Sequence, residues 1–186
     1  MAGQLEAVFA GFGGQGVMTA GQLLAYAGME EGKQVIWIPS YGPEMRGGTA
    51  NCTVVISDTR IGSPIINNPI SACVFNRPSL DKFGALIRPG GLLLINSSLI
   101  DVTSGRSDIT EILVPANDIA MRVGSPKVTN MVMLAAFVAA TEAVSFETLY
   151  RMLNAKLGSL SKEMLAINHA AFDEGRKLTG KVFAMR

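Results

Sequence analysis

Gly11, Gly13 and Gly16 make the spacing G-x-G-x-x-G directly after a short apolar stretch, Leu5 to Ala10, with Gly14 and Gln15 filling the turn. In that setting the chemistry is anion binding. Glycines allow a tight strand-to-helix turn and let backbone N–H groups approach a phosphate at the helix N-terminus. A dinucleotide site also needs Asp or Glu at the end of the second strand, to hold the ribose hydroxyls. Here that position reads Ile36-Trp37-Ile38-Pro39-Ser40, with no acid and no basic residue to take a ribose phosphate. Three readings stay open: a nicotinamide site in a stand-alone nucleotide-binding oxidoreductase, a contact to some other anion, or a tight turn packed in an interface.

The most unusual stretch is Pro39 to Gly48, with two prolines and three glycines in ten residues. It follows the second strand, on the sheet edge where α/β folds place their sites. Ser40, Gly42, Gly47 and Gly48 are its small members; Tyr41, Glu44 and Arg46 are its large polar groups. Arg46 has the planar fork that holds a phosphate or carboxylate. Glu44 stands without a second carboxylate nearby in sequence, a poor basis for acid–base work, and pairing with Arg46 is its plainer role. The loop is read either as a ligand contact or as a rigid surface that docks on another chain.

Other chemistry is scarce. The chain has one histidine, His169, and two cysteines, Cys52 and Cys73. A His/Cys metal site needs about four ligands, and cysteine-held clusters usually need four cysteines. The cysteines stand apart with no C-x-x-C pair and read as reduced core thiols of a cytoplasmic protein.

The elements that must position these groups follow from pattern. Leu5 to Ala10 reads as a strand, and Val17 to Met29, rich in small residues, as a helix stopped at Gly32. Gln34 to Ile38 completes a βαβ unit. Further strands are expected at Thr49 to Ser57, Ala72 to Asn76, Leu92 to Asn96 and Glu111 to Pro115, with a short helix from Pro78 to about Leu86. From Ala116 the chain turns helical: Ala116 to Arg122, Asn130 to Ala143, Phe146 to Asn154, and a last helix capped by Ser161. The inner stripe of that last helix is Met164, Ile167, Asn168, Ala171, Phe172 and Gly175. The expected fold is one α/β domain over residues 1–186. It is a three-layer α/β/α, Rossmann-like arrangement with a largely parallel sheet and a helical C-terminal part.

Composition agrees. Of 186 residues, 48% are apolar and 17% charged, against about 25% charged in an average soluble protein. Disorder is excluded. So sparse a charge suits a surface buried against partners. The net charge of +1 comes with no basic run, which argues against nucleic acid. The longest apolar run, Met131 to Ala140, has ten residues; a membrane span needs about 20. No basic region followed by an apolar stretch opens the chain, so no signal peptide is expected.

In order along the chain come Gly11-Phe-Gly-Gly-Gln-Gly-Val17, Pro39-Ser-Tyr-Gly-Pro-Glu-Met-Arg-Gly-Gly-Thr-Ala-Asn51, Asn76-Arg-Pro-Ser-Leu-Asp81, Pro89-Gly-Gly91 and Asn130-Met-Val-Met-Leu134. This series resembles the gamma subunits of 2-oxoacid:ferredoxin oxidoreductases, nearly end to end. The gamma subunit is in turn similar to the third domain of the single-chain pyruvate enzymes. The second motif looks like that of the 2-oxoglutarate and branched-chain enzymes; pyruvate-type subunits have a more basic version. Ala135 stands where the resemblance predicts glycine.

The resemblance implies a hetero-oligomer with alpha and beta subunits, and in some cases a ferredoxin-like delta subunit. Such complexes belong to anaerobic metabolism. They use thiamine diphosphate, magnesium, iron–sulfur clusters and coenzyme A. They decarboxylate a 2-oxoacid to an acyl-CoA and pass electrons to ferredoxin. This chain would hold none of those cofactors, would have no catalytic residue of its own, and would be inactive alone.

Overall fold

The computed structural model describes residues 3–42 and 48–183. Six strands form one sheet: β1 (Gln4–Phe12), β2 (Gln34–Tyr41), β3 (Thr49–Ser57), β4 (Ser71–Val74), β5 (Leu92–Asn96) and β6 (Thr110–Val114). Six helices accompany them: α1 (Val17–Glu30), α2 (Arg77–Phe83), α3 (Ala116–Arg122), α4 (Thr129–Thr141), α5 (Phe146–Leu157) and α6 (Lys162–Lys177). The strand order is β2-β3-β1-β4-β5-β6. β1, β4, β5 and β6 are parallel neighbours, whereas β3 runs antiparallel to both β1 and β2. Five strands thus share one direction and β3 opposes them.

Two details depart from the sequence reading. β2 is not the neighbour of β1, because the short β2–β3 connection folds β3 back between them. β2 also continues through Pro39 and Ser40 to Tyr41, in register with Cys52, Asn51 and Ala50. The expected loop therefore begins as strand. β2 is an edge strand, one of the few places in a sheet where a proline is tolerated.

The two faces are unequal. α1 and the C-terminal helices cover one face of the sheet, over a core that includes Phe9, Leu24, Ile56, Leu94 and Phe137. α2 and the segments beside it cover Val8, Ala10, Val74, Leu93 and Ile95 on the other. α1 lies close to β3 because its inner residues are small. A Cβ on Gly28 would meet Val35 at 3.0 Å and Ile56 at 3.3 Å. Gly32, at φ 74°, ends the helix as the sequence suggested, and its N–H bonds Met29 O at 3.0 Å.

Every residue of α4 is buried, within this chain alone. Phe137 meets Phe9 of the sheet edge-to-face, with ring centroids 5.5 Å apart. On the other side α6 comes so near that a Cβ on Gly175 would stand 2.8 Å from Ala135 Cβ and inside contact distance of Val132 O. Ser161 caps α6 by accepting from Met164 N at 3.2 Å, and the buried stripe is Asn168, Ala171, Phe172 and Gly175.

Candidate functional site

The carboxyl ends of β1 and β4 define the site. The crossover from β1 passes through α1 on one face, and that from β4 through α2 on the other. A crevice opens between two such strands, and α/β sheets bind ligands there. Here the crevice is filled from within. Gln15 Oε1 accepts from Phe12 N at 2.7 Å and from Asn76 Nδ2 at 3.2 Å, while its Nε2 reaches Phe75 O at 3.5 Å. Asn76 in turn caps α2, accepting from Ser79 N at 2.9 Å.

The glycines have mostly internal reasons. A Cβ on Gly11 would fall 2.5 Å from Gln15 Oε1 and 3.0 Å from Phe75 Cβ. Gly16, at φ 75°, is the N-cap of α1; a Cβ there would meet Asn130 Nδ2 at 2.5 Å, and that same nitrogen donates to Gly16 O at 3.1 Å. Gly13 N donates to Gly48 O at 2.9 Å, tying the turn to the start of β3. Gln15 N bonds Phe12 O at 3.1 Å. Gly14, at φ 101°, is exposed and faces open space. Three N–H groups of the turn, on Phe12, Gly13 and Gln15, are thus engaged inside the chain.

Of the second group, Ser40 and Tyr41 are exposed at the end of β2, and Gly42 N closes the hairpin base on Thr49 O at 2.7 Å. Gly48 lies against the glycine turn through the Gly13 bond. The two sequence motifs therefore meet at one edge. Glu44, Arg46 and Gly47 lie outside the described residues.

Cys52 and Cys73 are buried and unbridged, on β3 and β4, each opposite Phe9 of the strand between them. Burial pushes the Cys52 thiol up to about 11, with a smaller opposing effect from the Trp37 indole N–H. Burial also raises Cys73, and the neighbouring Cys52 adds to it. His169 is on α6, its Nε2 paired with Asn154 Oδ1 at 2.8 Å and its ring edge-on to Tyr150. Among the described residues no group of three or more His, Cys, Asp or Glu side chains is placed to hold a metal ion. Two cysteines cannot supply the four thiolates that an iron–sulfur cluster usually takes. No described helix is long and apolar enough to cross a membrane.

Asn76 and Asn130 anchor the edge, yet sequence reasoning gave them no role beyond the resemblance. One signal was present: Asn130 is a lone amide at the head of ten apolar residues.

Residues 6–178 match the family model described as pyruvate ferredoxin/flavodoxin oxidoreductase. The chain belongs to that family. Within the pyruvate ferredoxin/flavodoxin oxidoreductase family it is similar to two proteins of methanogens. It is 43% identical over 136 residues to the ketoisovalerate oxidoreductase subunit VorA of Methanothermobacter marburgensis, spanning 73% of this chain but only 28% of that longer relative. It is 34% identical over 173 residues to the 2-oxoglutarate synthase subunit KorC of Methanocaldococcus jannaschii, spanning 91% of each. Among solved structures it resembles the gamma subunit of a keto/oxoacid ferredoxin oxidoreductase from Geobacter sulfurreducens. That match has a TM-score of 0.79 and 30% identity, covering 93% of this chain and 96% of that one. The mixed six-stranded α/β fold is thus the fold of such gamma subunits.

Proposed function

We propose that residues 1–186 act as a single gamma-type domain in a cytoplasmic 2-oxoacid:ferredoxin oxidoreductase. The observation that carries this reading is the end-to-end match to KorC together with the gamma-subunit structure. Alpha and beta subunits, and a ferredoxin-like delta subunit where present, would hold thiamine diphosphate, magnesium and the iron–sulfur clusters. This chain's part is to present the edge built by Gln15, Gly48 and the 39–48 segment to those partners. The 2-oxoacid is 2-oxoglutarate in the first reading, oxidised with coenzyme A to the acyl-CoA while ferredoxin takes the electrons. The identity to VorA favours a second substrate, a branched-chain 2-oxoacid.

The test is purification of the native complex through a tag on this chain, without oxygen. Turnover is then measured with 2-oxoglutarate and with ketoisovalerate, using ferredoxin and coenzyme A. Co-purifying subunits with coenzyme A-dependent turnover support the subunit role, and the faster substrate sets the specificity. A chain that purifies alone and binds NADH with a saturable signal at micromolar concentration returns the stand-alone dehydrogenase. Such affinity lies in the lower range of common KM values, from about 1 μM.

A further inference from the structure

The sheet ends in two edge strands, β2 and β6. β2 carries Pro39, a residue type that guards an edge against pairing with another chain. β6 reads Thr110-Glu-Ile-Leu-Val114 and has no such guard: no proline, no lysine and no bulge. Among the described residues it pairs with β5 alone, residue for residue. Its outer side is therefore a row of unpaired backbone donors and acceptors.

The ladder to β5 fixes which groups these are. Thr110 N donates to Gly91 O at 2.8 Å, and Val114 O accepts from Ser97 N at 2.9 Å. Thr110, Ile112 and Val114 thus turn their backbone groups toward β5, and Glu111 and Leu113, at the alternate positions, turn theirs outward. Leu113 is also 52% exposed, a large apolar side chain beside the open backbone. The Glu111 carboxylate folds back on its own chain, where it accepts from Ser104 N at 3.0 Å.

We propose that β6 pairs antiparallel with β6 of a second copy of this chain, about a two-fold axis at Ile112. In that register Glu111 of each copy exchanges both backbone bonds with Leu113 of the other, so every outward N–H finds a carbonyl. A shift that centres on Glu111 sets the two carboxylates directly opposite each other, which destabilises a strand pair. A shift that centres on Leu113 sets Pro115, which has no N–H, against Glu111. Centred on Ile112, each carboxylate instead faces Leu113 of the other copy. The net charge of only +1 gives the two copies little mutual repulsion. The contact is isologous, so it closes on itself as a dimer and joins the two sheets into one. β6 lies at the opposite edge from β2, so the pairing leaves β2 and its hairpin free and does not depend on the subunit role.

The test is sedimentation velocity of the purified full-length chain. So short an edge buries less than a standard interface, so the concentration is varied over roughly 1–500 μM, and a monomer–dimer equilibrium is expected. Leu113→Pro removes the outward N–H without touching the ladder to β5. It should weaken the dimer by about tenfold or more with the melting transition retained. If Leu113→Pro does not fold, Leu113→Glu and Leu113→Lys carry that arm. Both new side chains face Glu111 of the other copy, so the Lys variant should dimerise on the order of tenfold more tightly than the Glu variant. Ile112→Cys reads the register. Its Cα stands about 4.5 Å from its mate in a non-hydrogen-bonded pair, within disulfide range. Mild oxidation should therefore give a covalent dimer of Ile112→Cys and none of Thr110→Cys. A monomer throughout the range overturns the proposal. So does a dimer indifferent to the changes at Leu113, assembly beyond the dimer, or Thr110→Cys cross-linking as readily as Ile112→Cys.

Discussion

The side-chain oxygen of Gln15 stands where a side chain on residue 11 would have to go: a Cβ on Gly11 falls 2.5 Å from it. The glycine at the end of β1 is thereby explained by a neighbour four residues later. Gln15 in turn is held by Phe12 N and Asn76 Nδ2. A phosphate entering this crevice would compete with Gln15 for the Phe12 N–H.

Gly11→Ala should expel Gln15 from the crevice and destabilise the fold by roughly 1–3 kcal/mol. Gln15→Ala should cost a similar amount, about 1–3 kcal/mol, by leaving Phe12 N and Asn76 Nδ2 unpaired. The two changes share a cause, so the double variant should be less than additive by on the order of 1 kcal/mol. Denaturant unfolding of the four proteins measures this, and simple additivity would count against the contact.

Gly175→Ala tests the approach of α6 to α4. Its methyl would press on the Val132 carbonyl and on Ala135 Cβ, neither of which is the far end of a flexible side chain. Overpacking of this kind costs roughly 1–3 kcal/mol, so the midpoint of urea unfolding should fall with the slope unchanged. Gly175→Ala combined with Ala135→Gly should recover only part of that loss, because the backbone oxygen stays in place.

The thiols should be silent in the folded protein. With Cys52 raised to about 11, its thiolate fraction near neutral pH is roughly a hundredfold below that of a thiol at its ordinary value near 9. Ellman's reagent should label neither cysteine until denaturant is added. The linkage has a direction as well. The folded state keeps the Cys52 proton more tightly, so this contribution is complete below about pH 9 and is lost as pH rises toward about 11. Cys52→Ala should flatten the alkaline part of the stability profile.

The isolated chain is expected to be colourless and inactive. Both cysteines are buried, and no described cluster of His, Cys, Asp or Glu could hold a metal ion. Iron analysis of protein purified without oxygen checks this, and a stoichiometric cluster would contradict it.

Arg46→Ala belongs to the assembled complex. If Arg46 contacts the active site in the transition state, losing a charged hydrogen bond should lower turnover by roughly ten- to a hundredfold. If it is a docking contact, assembly should weaken while residual complex turns over normally. Normal assembly with normal turnover removes Arg46 from the site.

The sequence carried the β1–turn–α1 unit, the caps at Gly32 and Ser161, and the buried α4, since each rests on local pattern. The position of β3 was not legible. Strand order follows from which edge a short hairpin folds back upon, and periodicity does not record that. The glycine spacing was visible, but its cause was not. Phe75, Asn76 and Asn130 reach it from 60 or more residues away, through their contacts with Gln15 and Gly16. The Gly13–Gly48 bond joins the described parts of the two motif groups at one sheet edge.

The hairpin base also bears on how such subunits diversify. The bond from Gly42 to Thr49 and the β2–β3 ladder beyond it close the connection before residues 43–47 begin. The register of β2 on β3 is set by contacts outside residues 43–47. A chain in which only residues 43–47 are exchanged for those of another family member should therefore keep the β2–β3 register, which makes the exchange a direct test of the partner-facing role proposed for the 39–48 segment.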